Sequence, residues 1–133
     1  MHDPIQLAHR VKTIALIGAS DKPERPSFGV MKFLLARGYQ VVPVNPVLAG
    51  GEIHGQKVVA SLGDLIGPID MIDIFRNTES AAEVIREAII YKEKLSLKII
   101  WCQLGVTPEE AAAEARDAGL IVVMDKCPAI EWR

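Results

Sequence analysis

The stretch Lys12-Thr13-Ile14-Ala15-Leu16-Ile17-Gly18-Ala19-Ser20 constrains the fold of this chain more than any other. Ile14, Leu16 and Ile17 give it a near-continuous apolar body of strand length, the pattern of a strand buried on both faces of a parallel sheet. Gly18, Ala19 and Ser20 end that body in small residues and a hydroxyl, and the polar loop Asp21-Lys22-Pro23-Glu24-Arg25-Pro26 follows. Ser27 reads as the N-cap of a helix beginning near Phe28. A strand that ends on glycine and hands over to a helix N-terminus brings main-chain amides to an anion, and Lys22 and Arg25 add two cations.

Strand and helix patterns then alternate to the C-terminus, the mark of an α/β fold. After a short leading helix at about residues 4–11 and the first strand, the helix from about Phe28 to Arg37 buries Val30, Met31, Phe33, Leu34 and Leu35, with Gly38 as its C′ residue. Tyr39 to Val44 is a second strand, ended by Asn45-Pro46 because proline cannot donate to a ladder. Val58-Val59 reads as a short strand and Ser61 to Ile66 as a short helix. Met71 to Phe75 is the next strand, leading to a helix over about Glu79 to Glu93 capped by Thr78. Leu97 to Cys102 follows, then a helix opened by Thr107 as cap, Pro108 at its first position and Glu110 completing a capping box. Gly119 closes it, and Leu120 to Met124 is the last strand. The expectation is one domain over residues 1–133: a doubly wound, Rossmann-like, mostly parallel sheet of about six strands with helices on both faces.

Composition narrows the partners. A chain of 133 residues with 50% hydrophobic and 24% charged residues is long and apolar enough to bury a core of its own. A net charge of -2 argues against bulk electrostatic binding of nucleic acid or an anionic membrane. No apolar run approaches the ~20 residues of a bilayer span, and Met1-His2-Asp3-Pro4 lacks the features of a signal peptide, so a cytoplasmic protein is expected. Two cysteines, without a CxxC or Cys/His cluster, suggest reduced thiols and neither a disulfide framework nor zinc.

In an open parallel sheet ligands bind outside the carboxyl ends of the strands. Here that rim comprises Gly18-Ala19-Ser20, Asn45-Pro46, Phe75-Arg76-Asn77-Thr78, Gln103-Leu104-Gly105-Val106 and Asp125-Lys126-Cys127. It is rich in small, amide and hydroxyl groups, while His2, His9 and His54 lie off it and no acid pair stands out. An NAD(P)-dependent or sugar-nucleotide enzyme is the first rival. Its G-x-G-x-x-G fingerprint fails at Ser20, which replaces the second glycine, and the second strand ends in Asn45 where a ribose-binding acid belongs.

The chain resembles the small single-domain CoA-binding proteins, whose Rossmann-like fold is similar to the CoA-binding domain of the succinyl-CoA ligase type acyl-CoA synthetase α subunit. The resemblance runs from about Lys12 to Glu131 through IGAS-DKPERPSFGV, GYQVVPVNP, the G-x-x-x-x-G turn at Gly50 to Gly55 with its following strand, DIFR, WCQLGV and AGLIVVMDKC. It implies coenzyme A or an acyl-CoA as ligand. Gly18, Ala19 and Ser20 with Lys22, Arg25 and Ser27 would hold the phosphates. Asn45 and Pro46 would border the nucleotide, and Phe75 and Arg76 would flank adenine and ribose; Asn77, Gln103, Gly105 and Cys127 complete the rim. The synthetases depend on a phosphorylated histidine and a nucleotide-grasping domain that do not fit in this chain. A binding protein without catalysis of its own is therefore expected, alone, as a homo-oligomer or with a synthetase-like partner subunit.

Alternative roles remain open for single residues. Lys22 and Arg25, beside Asp21 and Glu24, also suit a solvated charge cluster, and Phe75 also suits the core. Cys102 reads as a small buried hydrophobe. Cys127 sits past the last strand beside Lys126, a neighbour expected to lower its pKa and to let it pair with the pantetheine thiol in a mixed disulfide.

Overall fold

In the computed structural model, which describes residues 3–133, the chain enters through a short helix α1 (Pro4–Leu7) and a 3-10 turn (Ala8–Arg10). There follow β1 (Thr13–Ile17), α2 (Pro26–Ala36), β2 (Gln40–Val44) and a small hairpin of β3 (Glu52–Ile53) and β4 (Gln56–Lys57). The second half runs through β5 (Met71–Ile74), α3 (Thr78–Leu95), β6 (Ile99–Cys102), α4 (Glu109–Asp117), β7 (Ile121–Val123) and α5 (Pro128–Glu131). Five strands form one sheet in the order β2-β1-β5-β6-β7, with every neighbouring pair parallel.

Alternation along the strands divides the core between the two faces. Ile14 and Leu16 of β1 join Met31 and Leu34 of α2 together with Leu7 and Trp132, whereas Ala15 and Ile17 face Ala81 and Ile85 of α3 and Ala111 and Ala115 of α4. Every residue of β5 and β6 is buried, as strands covered on both sides must be. The expected doubly wound α/β architecture is therefore present.

The sheet has five strands, one fewer than expected. Val59 makes only a single parallel bridge to Val44, with its N–H donating to the Pro43 carbonyl and its carbonyl accepting from Asn45. Pro43 occupies the outward-facing position on β2 and has no N–H to return, so the ladder cannot extend upstream. The glycine-rich segment before it turns back on itself as the β3–β4 hairpin.

Three helix starts also differ. Arg25 is the N-cap of α2 and Pro26 its first helical residue, which places Ser27 inside the first turn and buries it. Proline suits that position because its missing N–H has no intrahelical acceptor to lose. Asn77, not Thr78, caps α3, its Oδ1 accepting from Ser80 N at 2.8 Å. Thr78 Oγ1 is engaged elsewhere, accepting from Thr107 N at 3.1 Å and donating to the Gly105 carbonyl at 3.4 Å. That link sets the backbone at Thr107, so α4 starts from Pro108 with no side-chain cap and the Thr107–Glu110 capping box does not form. Gly38 and Gly119 do end their helices with positive φ, as expected.

The two ends of the chain meet under the α2 face. Trp132 is buried, donates from Nε1 to the Pro4 carbonyl at 2.8 Å, and lies edge-on to Trp101 with ring centroids 5.4 Å apart. Trp132→Ala is expected to cost about 3–5 kcal/mol, the range for removing a buried aromatic, measured as a lower urea midpoint with unchanged slope; a loss under about 1 kcal/mol would show that α5 contributes little to the core.

Candidate functional site

The chain leaves β1 for β2 through α2 on one face of the sheet, and leaves β5 for β6 through α3 on the other. The loops that follow these two adjacent strands therefore diverge, and a crevice opens at their carboxyl ends. A cleft of about 760 Å³ lies there. Gly18, Ala19, Ser20, Lys22, Arg25, Ser27, Asn45, Phe75, Arg76, Asn77, Gln103 and Cys127 all line it; Pro46 and Gly105 lie outside the lining. Asp21, Pro26, Val30, Val47, Leu48, Leu104 and Val106 complete the wall. Leu104 and Val106 belong to the expected rim, and Asp21 and Pro26 to the loop expected at the phosphates, whereas Val30, Val47 and Leu48 are additions, although the position of Val47 next to a strand end is a signal that sequence carries.

The loop after β1 is built differently from the expectation of bare amides. Gly18 N and Ala19 N both donate to the Val44 carbonyl, at 3.0 and 3.3 Å, and so are not free for a ligand. Gly18 is required for internal reasons: its φ is +84°, and a Cβ there would run into the Phe75 carbonyl oxygen. Among the described residues no protein acceptor takes the N–H of Ser20 or Asp21, and the start of α2 adds the N–H and hydroxyl of Ser27. Asn45 braces this arrangement. Its Nδ2 donates to the Ala19 carbonyl at 2.8 Å, and its Oδ1 accepts from Val47 N and Leu48 N, which ties the loops after β1 and β2 together.

Charge on the cleft is mostly positive. Lys22, Arg25 and Arg76 are exposed, and among the described residues none of them makes an ion pair, so their charge is available to a ligand. A Cβ at Gly18 would lie 3.4 Å from Arg76 Nε, which places that guanidinium against the β1 loop. Phe75 is half-buried against the α2-side core while contributing to the wall of the cleft. Asn77 spends its Oδ1 on the α3 cap. Val47 and Leu104 are 88% and 59% exposed and give the mouth apolar edges.

The floor is formed past β6 and β7. Gln103 is buried, and its Nε2 donates to Oδ1 of the wholly buried Asp73 at 2.7 Å; Asp73 Oδ2 has no partner among the described residues. Burial pushes the Asp73 carboxyl up to about 7, against the opposing effect of the Gln103 bond. Asp73 lies behind the lining and reaches it through Gln103; an acid inside the apolar run Met-Ile-Asp-Ile is the anomaly by which sequence marks it. Cys127 lies on the floor too, but burial raises its thiol pKa, with Asp73 adding to the rise. The expected lowering by Lys126 is overturned, because desolvation of the thiolate outweighs a cation whose own charge stands in solvent. Cys102, the last residue of β6, is buried and its thiol is pushed up to about 12, an inert thiol.

Off the rim, Gly105 N donates to Asp125 Oδ1, which fixes the turn after β6. The His54 ring packs at a tilt against Phe28 and its Nε2 meets the Phe28 carbonyl at 2.9 Å, so it anchors the hairpin to α2. His9 is exposed on the opposite side, and His2 lies outside the described residues. Among the described residues no helix is long and apolar enough to cross a membrane, and no group of three or more His, Cys, Asp or Glu side chains gathers as a metal site.

A parallel, doubly wound sheet with its cleft at the reversal of strand order defines the Rossmann-like class of ligand-binding α/β domains. Within that class this chain belongs to the CoA binding domain family, which matches residues 12–133. It is 36% identical over 122 residues to the uncharacterized protein YneT of Bacillus subtilis, spanning 92% of this chain and 86% of that one. It is also 35% identical over 82 residues to the α subunit of the ADP-forming acetate–CoA ligase I of Pyrococcus furiosus, where the match spans 57% of this chain and 17% of the subunit. Among solved structures, a hypothetical protein of Pyrococcus horikoshii superposes with a TM-score of 0.87 at 39% identity, covering 97% of this chain and 87% of that one. A Thermus thermophilus protein does so at 0.88 and 36%, covering 98% and 96%.

The Asp73 carboxyl sets a pH dependence of stability. Its folded value of about 7 stands above an unfolded value of about 4. The folded state thus prefers the protonated form, and stability retained below about pH 4 is lost as pH rises through 7. The urea midpoint of the wild type is expected to be lower at pH 8 than at pH 5.5, and Asp73→Asn is expected to flatten that difference; parallel pH profiles for the two proteins would show that Asp73 does not titrate in this range.

Proposed function

We propose that this chain binds coenzyme A or an acyl-CoA in the cleft between β1 and β5 and acts as a binding module without catalysis of its own, in the cytoplasm. The observation that carries this reading is the meeting, at one strand-order reversal, of the start of α2 with loop amides and three cations that have no hydrogen-bond acceptor or ion-pair partner among the described residues. The diphosphate would lie on the N–H groups of Ser20 and Asp21 and on Ser27, where a helix start favours an anion by roughly 0.3–1 kcal/mol, up to ~2 when partly buried. Arg76, with Lys22 and Arg25, would meet the 3′-phosphate through charge-assisted hydrogen bonds. Membership of the CoA binding domain family supports the choice of ligand.

The absence of an acid at the end of β2, where Asn45 is already spent on the protein, speaks against a ribose held as in nicotinamide enzymes. The similarity to a ligase α subunit favours a second reading, in which the domain completes a synthetase with a partner subunit in trans. Co-purification with a nucleotide-grasping protein, and acyl-CoA formation only in the mixture, is the result expected of that arrangement.

Thermal shift and calorimetry with CoA, dephospho-CoA, NAD and NADP separate the readings. CoA at 100 times its Kd is expected to stabilise by about 2.7 kcal/mol, dephospho-CoA less, and the nicotinamide cofactors little. Arg76→Ala is expected to weaken CoA about tenfold, with a smaller effect on dephospho-CoA. Equal losses would assign Arg76 to the diphosphate, and no heat with CoA would remove the proposal.

A further inference from the structure

The cleft continues past the cationic loop across the carboxyl edge of β6 and β7, where its character changes. Val106, Leu104 and Cys127 are apolar, and Gln103 is the polar side chain set among them. Gln103 is only 8% exposed, and one end of its amide is committed: Nε2 donates to Asp73 Oδ1 at 2.7 Å. Asp73 Oδ1 accepts that N–H whether the carboxyl is ionised or carries its proton on Oδ2, so the amide sits with nitrogen inward and Oε1 outward. Gln103 Oε1 has no protein donor among the described residues and is not among the sealed orphan atoms, so it meets the cleft. The fold retains Asp73 at a cost. It is wholly buried between Leu16 and Trp101, its neighbours in register on β1 and β6, with Oδ2 unpartnered, where an apolar residue would pack without penalty.

We propose that the Asp73–Gln103 pair is a specificity element for the arm of the ligand: Gln103 Oε1 accepts an amide N–H of the pantetheine chain, and Asp73 is the positioning residue that points that oxygen into the cleft. The inference rests on the CoA reading given above. Strand spacing of about 4.8 Å puts the β6 edge about 10 Å from the β1 loop and the β7 edge about 14 Å from it. In pantetheine the second amide nitrogen lies about nine bonds from the phosphate ester oxygen and the thiol about twelve, or about 11 and 14 Å when the chain is extended. The amide thus reaches Gln103 as the thiol reaches Cys127. An acceptor fixed at this depth takes an N–H and rejects a carboxylate, so it selects an uncharged amide-bearing arm.

Calorimetry with CoA and with adenosine 3′-phosphate 5′-diphosphate, the same nucleotide without the arm, tests this. Gln103→Leu is expected to weaken CoA by about three- to tenfold and to leave the armless nucleotide unchanged. Asp73→Asn keeps an acceptor for Gln103 Nε2 and is expected to retain the wild-type preference for CoA; Asp73→Val is expected to lose it to the level of Gln103→Leu. Equal losses for both ligands in Gln103→Leu, or no loss for either, overturn the proposal, as does an Asp73→Asn variant that behaves like Asp73→Val. A wild type that binds the armless nucleotide as tightly as CoA overturns this inference alone, whereas one that binds neither removes the CoA reading and this inference with it.

Discussion

Everything at the cleft depends on the chain leaving two neighbouring parallel strands in opposite directions. β1 sends its connection to the α2 face and β5 to the α3 face, so the loops after Ile17 and Ile74 part and cannot cover the gap between them. Right-handed crossovers leave a doubly wound sheet no other way to reverse its strand order. The gap is held to size by short, specific links: Gly18 tucked under the Phe75 carbonyl, and the Asn45 amide spanning Ala19 and the Val47–Leu48 turn.

The strands and the rim were legible in the sequence because buried parallel strands write themselves as short apolar runs with abrupt polar ends. Each sheet strand falls within a stretch that periodicity picks out, and most of the residues at those ends do line the cleft. What escaped depends on partners remote in sequence. Whether Gly18 N–H is free depends on Val44, the cap of α4 depends on Thr78, and the acidity of Cys127 depends on how deeply its sulfur is buried. The sixth strand failed for a local reason that the sequence did display, the proline at position 43 on the outward edge of β2.

The loop and the floor of the cleft differ in chemistry. Around β1 and α2 the cleft offers exposed cations and main-chain donors, groups that in general attract phosphorylated ligands with little discrimination. Beyond β5 it offers apolar walls and one buried amide whose orientation is set from beneath, groups that attract weakly and discriminate by shape and hydrogen-bond polarity. In the ligase α subunit the matching stretch is 17% of a much longer chain.

The bond from Trp132 Nε1 to the Pro4 carbonyl has a topological consequence. It brings the first and last helices to one spot, so the two ends of the folded unit lie side by side. Such a unit can be spliced into a host polypeptide, or have its ends joined and be reopened by circular permutation, with the sheet order untouched.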